Sequence, residues 1–300
     1  MAGKNINYYL LDGTPNGRIK CTLANWTGVV YRIPHTDLDK CKEREDLKQS
    51  GVYFLFGTEE ETEQNVVYIG QAGIRKNGEG ILYRLKEHKR NADKYYWTEA
   101  VVFTTSNNSF GQTEISWLEN RFCTLAQDAK RYVIKNNNDP NSGHVTEEKE
   151  SELEEFIGHA KVVMGVLGYK IFEPLIKTIP QTNPETNDSE EIIEDGLLLY
   201  INRNHKRSGR EIAATCVRTS EGFVIKKGSS IELQETTGIP ANVQKRRQSA
   251  KIDDDGILQE DVLFKNPSPA ASFVVGSSVS GLKSWKLADG RTLSEIENQD

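Results

Sequence analysis

The stretch Gly51-Val52-Tyr53-Phe54-Leu55-Phe56-Gly57, followed by Asn65-Val66-Val67-Tyr68-Ile69-Gly70-Gln71, decides how this chain is read. Both runs are short, apolar and rich in β-branched or aromatic residues, which is the composition of strands. The polar segment 58–65 between them suits a hairpin with a long turn. A third such run covers 100–104. Helical spacing predicts helices near 80–92 and 112–134, so 51–140 reads as two strands, a helix, a strand and a helix. The expected fold class is α+β: a small domain with a central three-stranded, mainly antiparallel sheet flanked by helices.

Outward from that stretch, the first fifty residues hold strand-like pieces at 8–11 and 28–33 and a polar helical stretch around 36–49. Residues 1–50 are expected to be an extension packed on the domain at 51–176. A further amphipathic helix is predicted over 147–169, with Leu153, Phe156, Ile157, Ala160, Val163, Met164 and Leu167 at helical spacing. Residues 177–195 carry Pro180, Pro184 and many Asn, Thr, Asp and Glu, and are expected to be an acidic flexible linker. From 196 to 300 a separate strand-rich α+β accessory domain is expected. Its strands are placed at 196–201, 213–218 and 222–226, the last two around a Ser220-Glu221-Gly222 turn. A helix is expected from Ser268-Pro269 and a terminal hairpin turning at Asp289-Gly290.

The 300 residues are 36% hydrophobic and 27% charged, the balance of a globular protein that buries a core. No apolar stretch approaches the roughly 20 residues of a membrane-spanning helix, and the amino terminus lacks the apolar core of a secretion signal. Cys21, Cys41, Cys123 and Cys216 form no C-x-x-C pair, so free thiols in a cytoplasmic setting are expected. The net charge of −6 is unevenly spread. Residues 1–140 carry 19 Lys/Arg against 18 Asp/Glu, 141–195 carry 4 against 13, and 196–300 carry 15 against 13. The acidity sits in the middle segment, so global charge does not exclude a nucleic-acid partner.

Several residues stand out chemically. Tyr53 and Tyr68 lie on paired strands, each beside a glycine that leaves room for backbone or ligand; a lone tyrosine on a strand is more often core. Arg84 and His88 are one helical turn apart on one face. The surrounding Arg84-Leu85-Lys86-Glu87-His88-Lys89-Arg90 reads either as a solvated basic face or as a surface for phosphates. Glu119 falls within the stripe Ile115, Leu118, Phe122, Leu125 and Ala126, where a carboxylate is costly unless paired, protonated or metal-bound. The carboxy-terminal cations Arg203, Lys206, Arg207, Arg210, Lys226, Lys227 and Lys245-Arg246-Arg247 are a solvated surface or a track for a duplex backbone. Asp253-Asp254-Asp255-Gly256 reads as a turn before a strand rather than a metal site.

Taken in order, these residues resemble the GIY-YIG nuclease family over residues 51–136. Gly51-Val52-Tyr53 matches the first signature and Tyr68-Ile69-Gly70 the second. Arg84 fits the helical arginine, His88 the His-or-Tyr one turn on, Glu119 the metal-binding glutamate, and Asn136 the asparagine after that helix. Gln71 departs from the pattern, since several relatives have lysine there, and 74–80 is longer than in compact relatives. The resemblance implies an endonuclease that hydrolyses DNA phosphodiesters with one Mg²⁺ or Mn²⁺ on Glu119. It implies Arg84 as transition-state stabiliser, and Tyr53 as the favoured general base helped by Tyr68 and His88. Because a free phenol titrates near 10, that base requires a pKa moved down. Arg75, Lys76, Lys89, Arg90 and Asn136 are the expected nucleic-acid contacts. Duplex DNA is the favoured partner, in restriction, defence or repair. Single strands, RNA or a non-cleaving recruiting role are the alternatives. The string 221–229, with Ser268-Pro269-Ala270-Ala271 and Gly281-Leu282-Lys283-Ser284-Trp285, resembles a domain of unknown function often appended to such nucleases, which implies targeting or interaction.

Overall fold

The computed structural model describes residues 3–59, 64–75, 78–91, 96–136, 143–182, 189–193, 196–204 and 209–298, and within 178–193 the backbone alone. The chain divides into two compact units, Met1–Pro174 and Leu175–Asp300.

The first unit is built on a seven-stranded mixed sheet. Its strands are β1 (Ile6–Leu10), β2 (Ile19–Leu23), β3 (Gly28–Pro34), β4 (Gly51–Thr58), β5 (Asn65–Ala72), β6 (Trp97–Thr105) and β7 (Val133–Ile134). They lie in the order β1-β2-β3-β6-β4-β5-β7, with every pair antiparallel except β5 and β7. The expected strands at 52–56, 66–69 and 100–104 are therefore the middle of a larger sheet, and the three-stranded expectation is corrected. Within residues 1–50, β1, β2 and β3 continue that sheet, because β3 pairs with β6 from Gly28↔Thr105 to Pro34↔Glu99. The physical reason is the outer edge of β6, whose backbone groups need partners once its side chains are buried.

β4 explains the layering. Its first six residues are all buried, as in a strand covered on both faces. Val52, Phe54 and Phe56 join the core beneath helices α2 (Gln112–Ala129) and α3 (Glu147–Val166). Tyr53 and Leu55 point to the other face, into a second core closed by α1 (Ile81–Arg90) and two 3-10 turns, His35–Cys41 and Glu45–Lys48. Those two turns replace the single helix expected around 36–49. Helix α2 ends a turn earlier than expected, with Lys130 in the left-handed region at φ 52°. Val133, expected on the buried helical face, instead pairs with Val66 in β7 and is exposed.

In the second unit, β8 (Thr178–Thr182) and β9 (Ser189–Ile193) pair antiparallel where a linker without strands was expected. The β-branched residues Thr178, Ile179, Ile192 and Ile193 favour that conformation. Then β10 (Leu197–Asn204), β11 (Glu211–Thr219), β12 (Gly222–Ile225) and β13 (Val262–Phe264) form a four-stranded antiparallel sheet. The Ser220-Glu221 turn joins β11 to β12, and Gly222 at φ 135° is required because a Cβ there would meet the Phe264 carbonyl at 2.2 Å. Helices α4 (Ala241–Ser249), α5 (Pro267–Val275), α6 (Gly281–Ser284) and α7 (Leu293–Glu297) complete the unit. Helix α5 starts at Asn266-Pro267 rather than Ser268-Pro269, with proline in its first turn.

Candidate active site

Tyr53, Tyr68, Arg84 and His88 meet on the α1 side of the sheet, and the register accounts for this. Tyr53 pairs with Gly70 and Leu55 with Tyr68, so the two tyrosines project from one face. Gly70 is needed at its position: a Cβ there would lie 2.4 Å from the Tyr53 hydroxyl and 2.8 Å from the Tyr68 ring. Helix α1 packs over that face through Ile81, Leu82 and Leu85, which brings in His88. The Tyr53 hydroxyl lies 2.7 Å from His88 Nε2, and the His88 ring is 5.1 Å from that of Tyr68. Arg84 and Tyr68 both lie close enough to Tyr53 to act on its phenol, and the Tyr53 and Tyr68 ring centroids are 6.3 Å apart.

Burial of these groups differs in a way that matters. Tyr53 is wholly buried, and desolvation drives its phenol far above the ordinary range, with the neighbouring Tyr68 adding to the rise and Arg84 opposing it. Tyr68 is half-buried; desolvation and then the Glu119 charge push its phenol up, against Arg84. The lowered phenol expected of Tyr53 as a base is thus absent, because burial outweighs the nearby guanidinium. His88 is buried.

Glu119 reaches the site around the edge of β5. It is half-buried, at the margin of the stripe rather than inside it. The side-chain amide and backbone N–H of nearby Gln71 favour its charged form, yet burial is the larger effect and holds its pKa above the ordinary value. Gln71 is also within 3.1 Å of the Ser116 hydroxyl and accepts from the Gln112 amide at 2.9 Å. The position noted as a missing lysine is therefore the principal neutral partner of the carboxylate, a role that only the spatial arrangement reveals.

The expected nucleic-acid contacts separate. Asn136 does not offer a free amide: its Oδ1 accepts from the Ile69 N–H at 3.1 Å and its Nδ2 donates to the Ile69 carbonyl at 2.7 Å. Lys89 reaches Asp39 at 3.2 Å. Arg90 and Arg75 are exposed, and Arg75 pairs with Glu87 at 2.9 Å. Lys76 lies outside the described residues, as do Lys206 and Arg207 of the carboxy-terminal set. Arg247 is removed from that set: it is buried, donates to Glu235 at 2.9 Å, and also to the carbonyls of Glu232 and Phe273. Asp253 closes a turn by accepting from the Ile257 N–H at 2.7 Å, with Gly256 at φ 68°. Among the described residues no three His, Cys, Asp or Glu side chains converge.

A cavity of about 370 Å³ lies elsewhere, on the α2 and α3 side, lined by Tyr8, Ile19, Arg32, Glu99, Leu167 and Tyr169 among others. Arg32 and Tyr169 both bond to Glu99, so its polar groups satisfy one another. It has no part in the tyrosine cluster.

Comparison with known proteins bears on the second unit. Residues 205–297 match the family described as Domain of unknown function (DUF4357), so the appended domain suggested by its sequence is present, and the match leaves the candidate site unassigned. No curated protein and no solved structure compared with the chain gave a match.

Proposed function

We propose that the first unit is a divalent-metal-dependent endonuclease of the GIY-YIG kind, acting on DNA. One observation carries this reading: Tyr68, Tyr53 and His88 cluster together, with the Tyr53 hydroxyl 2.7 Å from His88 Nε2, and Arg84 and the half-buried Glu119 carboxylate lie beside them. The donor chemistry fits Mg²⁺ or Mn²⁺, which bind a single carboxylate and keep most of their waters. Burial that penalises the charged Glu119 makes such a cation more welcome there. When bound, it supplies charge neutralisation at the leaving oxygen and offsets the Glu119 charge that holds the Tyr68 phenol up.

The chain's own groups do the rest. Tyr68 is the phenol with solvent access, so it meets the attacking water, and Tyr53 behind it does not. As Tyr68 takes the water's proton, its own passes to Tyr53 and the Tyr53 proton passes to His88 Nε2. No standing phenolate is required, which removes the conflict with the raised phenols. Arg84 stabilises charge growing on the phosphoryl oxygens. The expected base thus moves from Tyr53 to Tyr68, with His88 as final acceptor.

The test is cleavage of supercoiled plasmid, linear duplex, single-stranded DNA and RNA in Mg²⁺, Mn²⁺ or chelator. The expected result is metal-dependent cleavage of duplex DNA, lost by at least about 100-fold in Arg84→Ala and Glu119→Ala. Tyr68→Phe should lose about as much, and more than Tyr53→Phe. Absence of metal-dependent cleavage of any substrate would sink the enzyme reading and leave a binding scaffold. Equal cleavage by wild type and both alanine variants would overturn the site.

A further inference from the structure

Glu87 lies three residues after Arg84 on α1 and was read in sequence only as part of a basic face. In the folded chain it sits between two arginines. Arg75 Nη1 and Nη2 reach its two carboxylate oxygens at 2.9 and 3.0 Å, a two-pronged contact, and Arg84 Nη1 donates to Oε2 at 2.8 Å. Arg75 is held for this independently of Glu87. Its backbone N–H bonds to the Glu79 carbonyl at 2.7 Å, its carbonyl accepts from Gly78 at 2.9 Å, and its guanidinium lies 4.7 Å from the Tyr83 ring centroid. Arg84 is likewise held at its other side by Tyr53.

Two guanidinium groups sharing one carboxylate leave a positive charge uncompensated. A planar pair of oxygens between two arginine forks is also the geometry in which a phosphodiester is bound. All three side chains are 30–45% exposed, so these pairs are weakly held and open to exchange. We infer that Arg75 and Arg84 form a two-arginine phosphate clamp, and that Glu87 occupies it in the free protein as a stand-in that substrate phosphate displaces. This rests on the nuclease reading for the identity of the ligand as a nucleic acid. Through Arg84 the displacing phosphate is delivered next to the Tyr53 oxygen, so clamp and chemistry are one assembly. Glu87 acts as a positioning residue: it keeps the two forks spaced and aligned, and it sets the affinity threshold for anions.

The experiment measures binding of a fluorescent DNA duplex in chelator, across a salt series, for wild type, Glu87→Gln, Arg75→Ala and the double variant. Glu87→Gln should bind about threefold more tightly or better. The slope of log affinity against log salt should steepen by about one, because in the wild type the displaced Glu87 carboxylate takes up a cation that offsets one released counterion, and glutamine does not. Arg75→Ala should cancel both gains. In the cleavage assay the KM of Glu87→Gln should fall by the same factor. Unchanged or weaker binding with an unchanged slope, in a Glu87→Gln protein whose circular dichroism matches wild type, overturns the clamp. If no duplex is bound by any variant, inorganic pyrophosphate is the probe. A larger thermal shift with pyrophosphate in Glu87→Gln than in wild type supports the clamp while the nucleic-acid reading fails. No difference with either probe overturns the clamp.

Discussion

Glu119 carries an unusual burden for one side chain. A carboxylate that is half out of water, with the neutral amide and backbone N–H of Gln71 nearby, keeps a raised pKa because desolvation exceeds what those groups return. A folded-state pKa above the unfolded value means the fold prefers the protonated acid. The stabilising contribution is present in full below the unfolded value and is lost as pH rises through the raised folded one. At neutral pH the ionised carboxylate therefore works against the fold until a cation joins it. Glu119→Gln is expected to melt at or above the wild-type temperature without metal, and to lose the thermal shift that Mg²⁺ or Mn²⁺ gives the wild type. A metal-induced shift of equal size in both proteins would show that the cation binds elsewhere. Helical periodicity showed that Glu119 lies next to a buried stripe. It did not show that Gln71 answers it, because Gln71 is on a strand 48 positions earlier and only the sheet edge brings the two together.

The edge of β5 shows how elements cooperate around the site. Strand β7 covers it at Val66 and Val67, and the Lys135 N–H continues to the Val67 carbonyl at 2.8 Å. Beyond that the edge is completed by a side chain that imitates a strand: the Asn136 amide takes both backbone groups of Ile69, and the Glu119 carboxylate stands near Gln71 just past it. Tyr68 and Gly70 are the alternate residues of this span, so the edge holds the site's phenol in place. Asn136→Ala should cost about 1–2 kcal/mol in urea unfolding, because the backbone N–H of buried Ile69 loses its partner. Asn136→Asp should cost more, since it sets a carboxylate against the Ile69 carbonyl. A loss below the error of the urea measurement in both would remove this role. Some of the element map was legible beforehand. The alternation of Ile19, Cys21 and Leu23 with Lys20 and Thr22 is the strand signal of β2. The early end of α2 was not legible, since Val133 and Ile134 continue a helical apolar pattern and leave it only for a parallel partner in β5.

At the scale of the molecule, each unit has cores of its own, and the second is tied together by a buried cation. Arg247 on α4 bonds to Glu235 and to two carbonyls, and lies over the Phe273 ring of α5. Arg247→Met should destabilise that unit by about 3 kcal/mol or more, because Glu235 and both carbonyls lose their donor. Pulse proteolysis in a urea series should show cleavage within 175–300 at lower urea than in wild type, with the urea dependence of 1–174 unchanged. Equal shifts for both segments would contradict separate cores.

The candidate site residues, their order and the strands and helices that hold them were readable from the sequence alone. Periodicity and composition are local, and Tyr53, Tyr68, Arg84, His88 and Glu119 each sit in a strongly patterned segment. What only the tertiary structure decided is which groups compete. The seven-stranded extent of the sheet, the rise of both phenols on burial, the capture of Asn136 by the edge of β5 and of Arg247 by the second core, and the hold of Glu87 on two arginines all depend on desolvation and on partners distant in sequence. The tyrosines of the opening stretch are thus local in origin, but their protonation and their roles are set by what the fold packs against them.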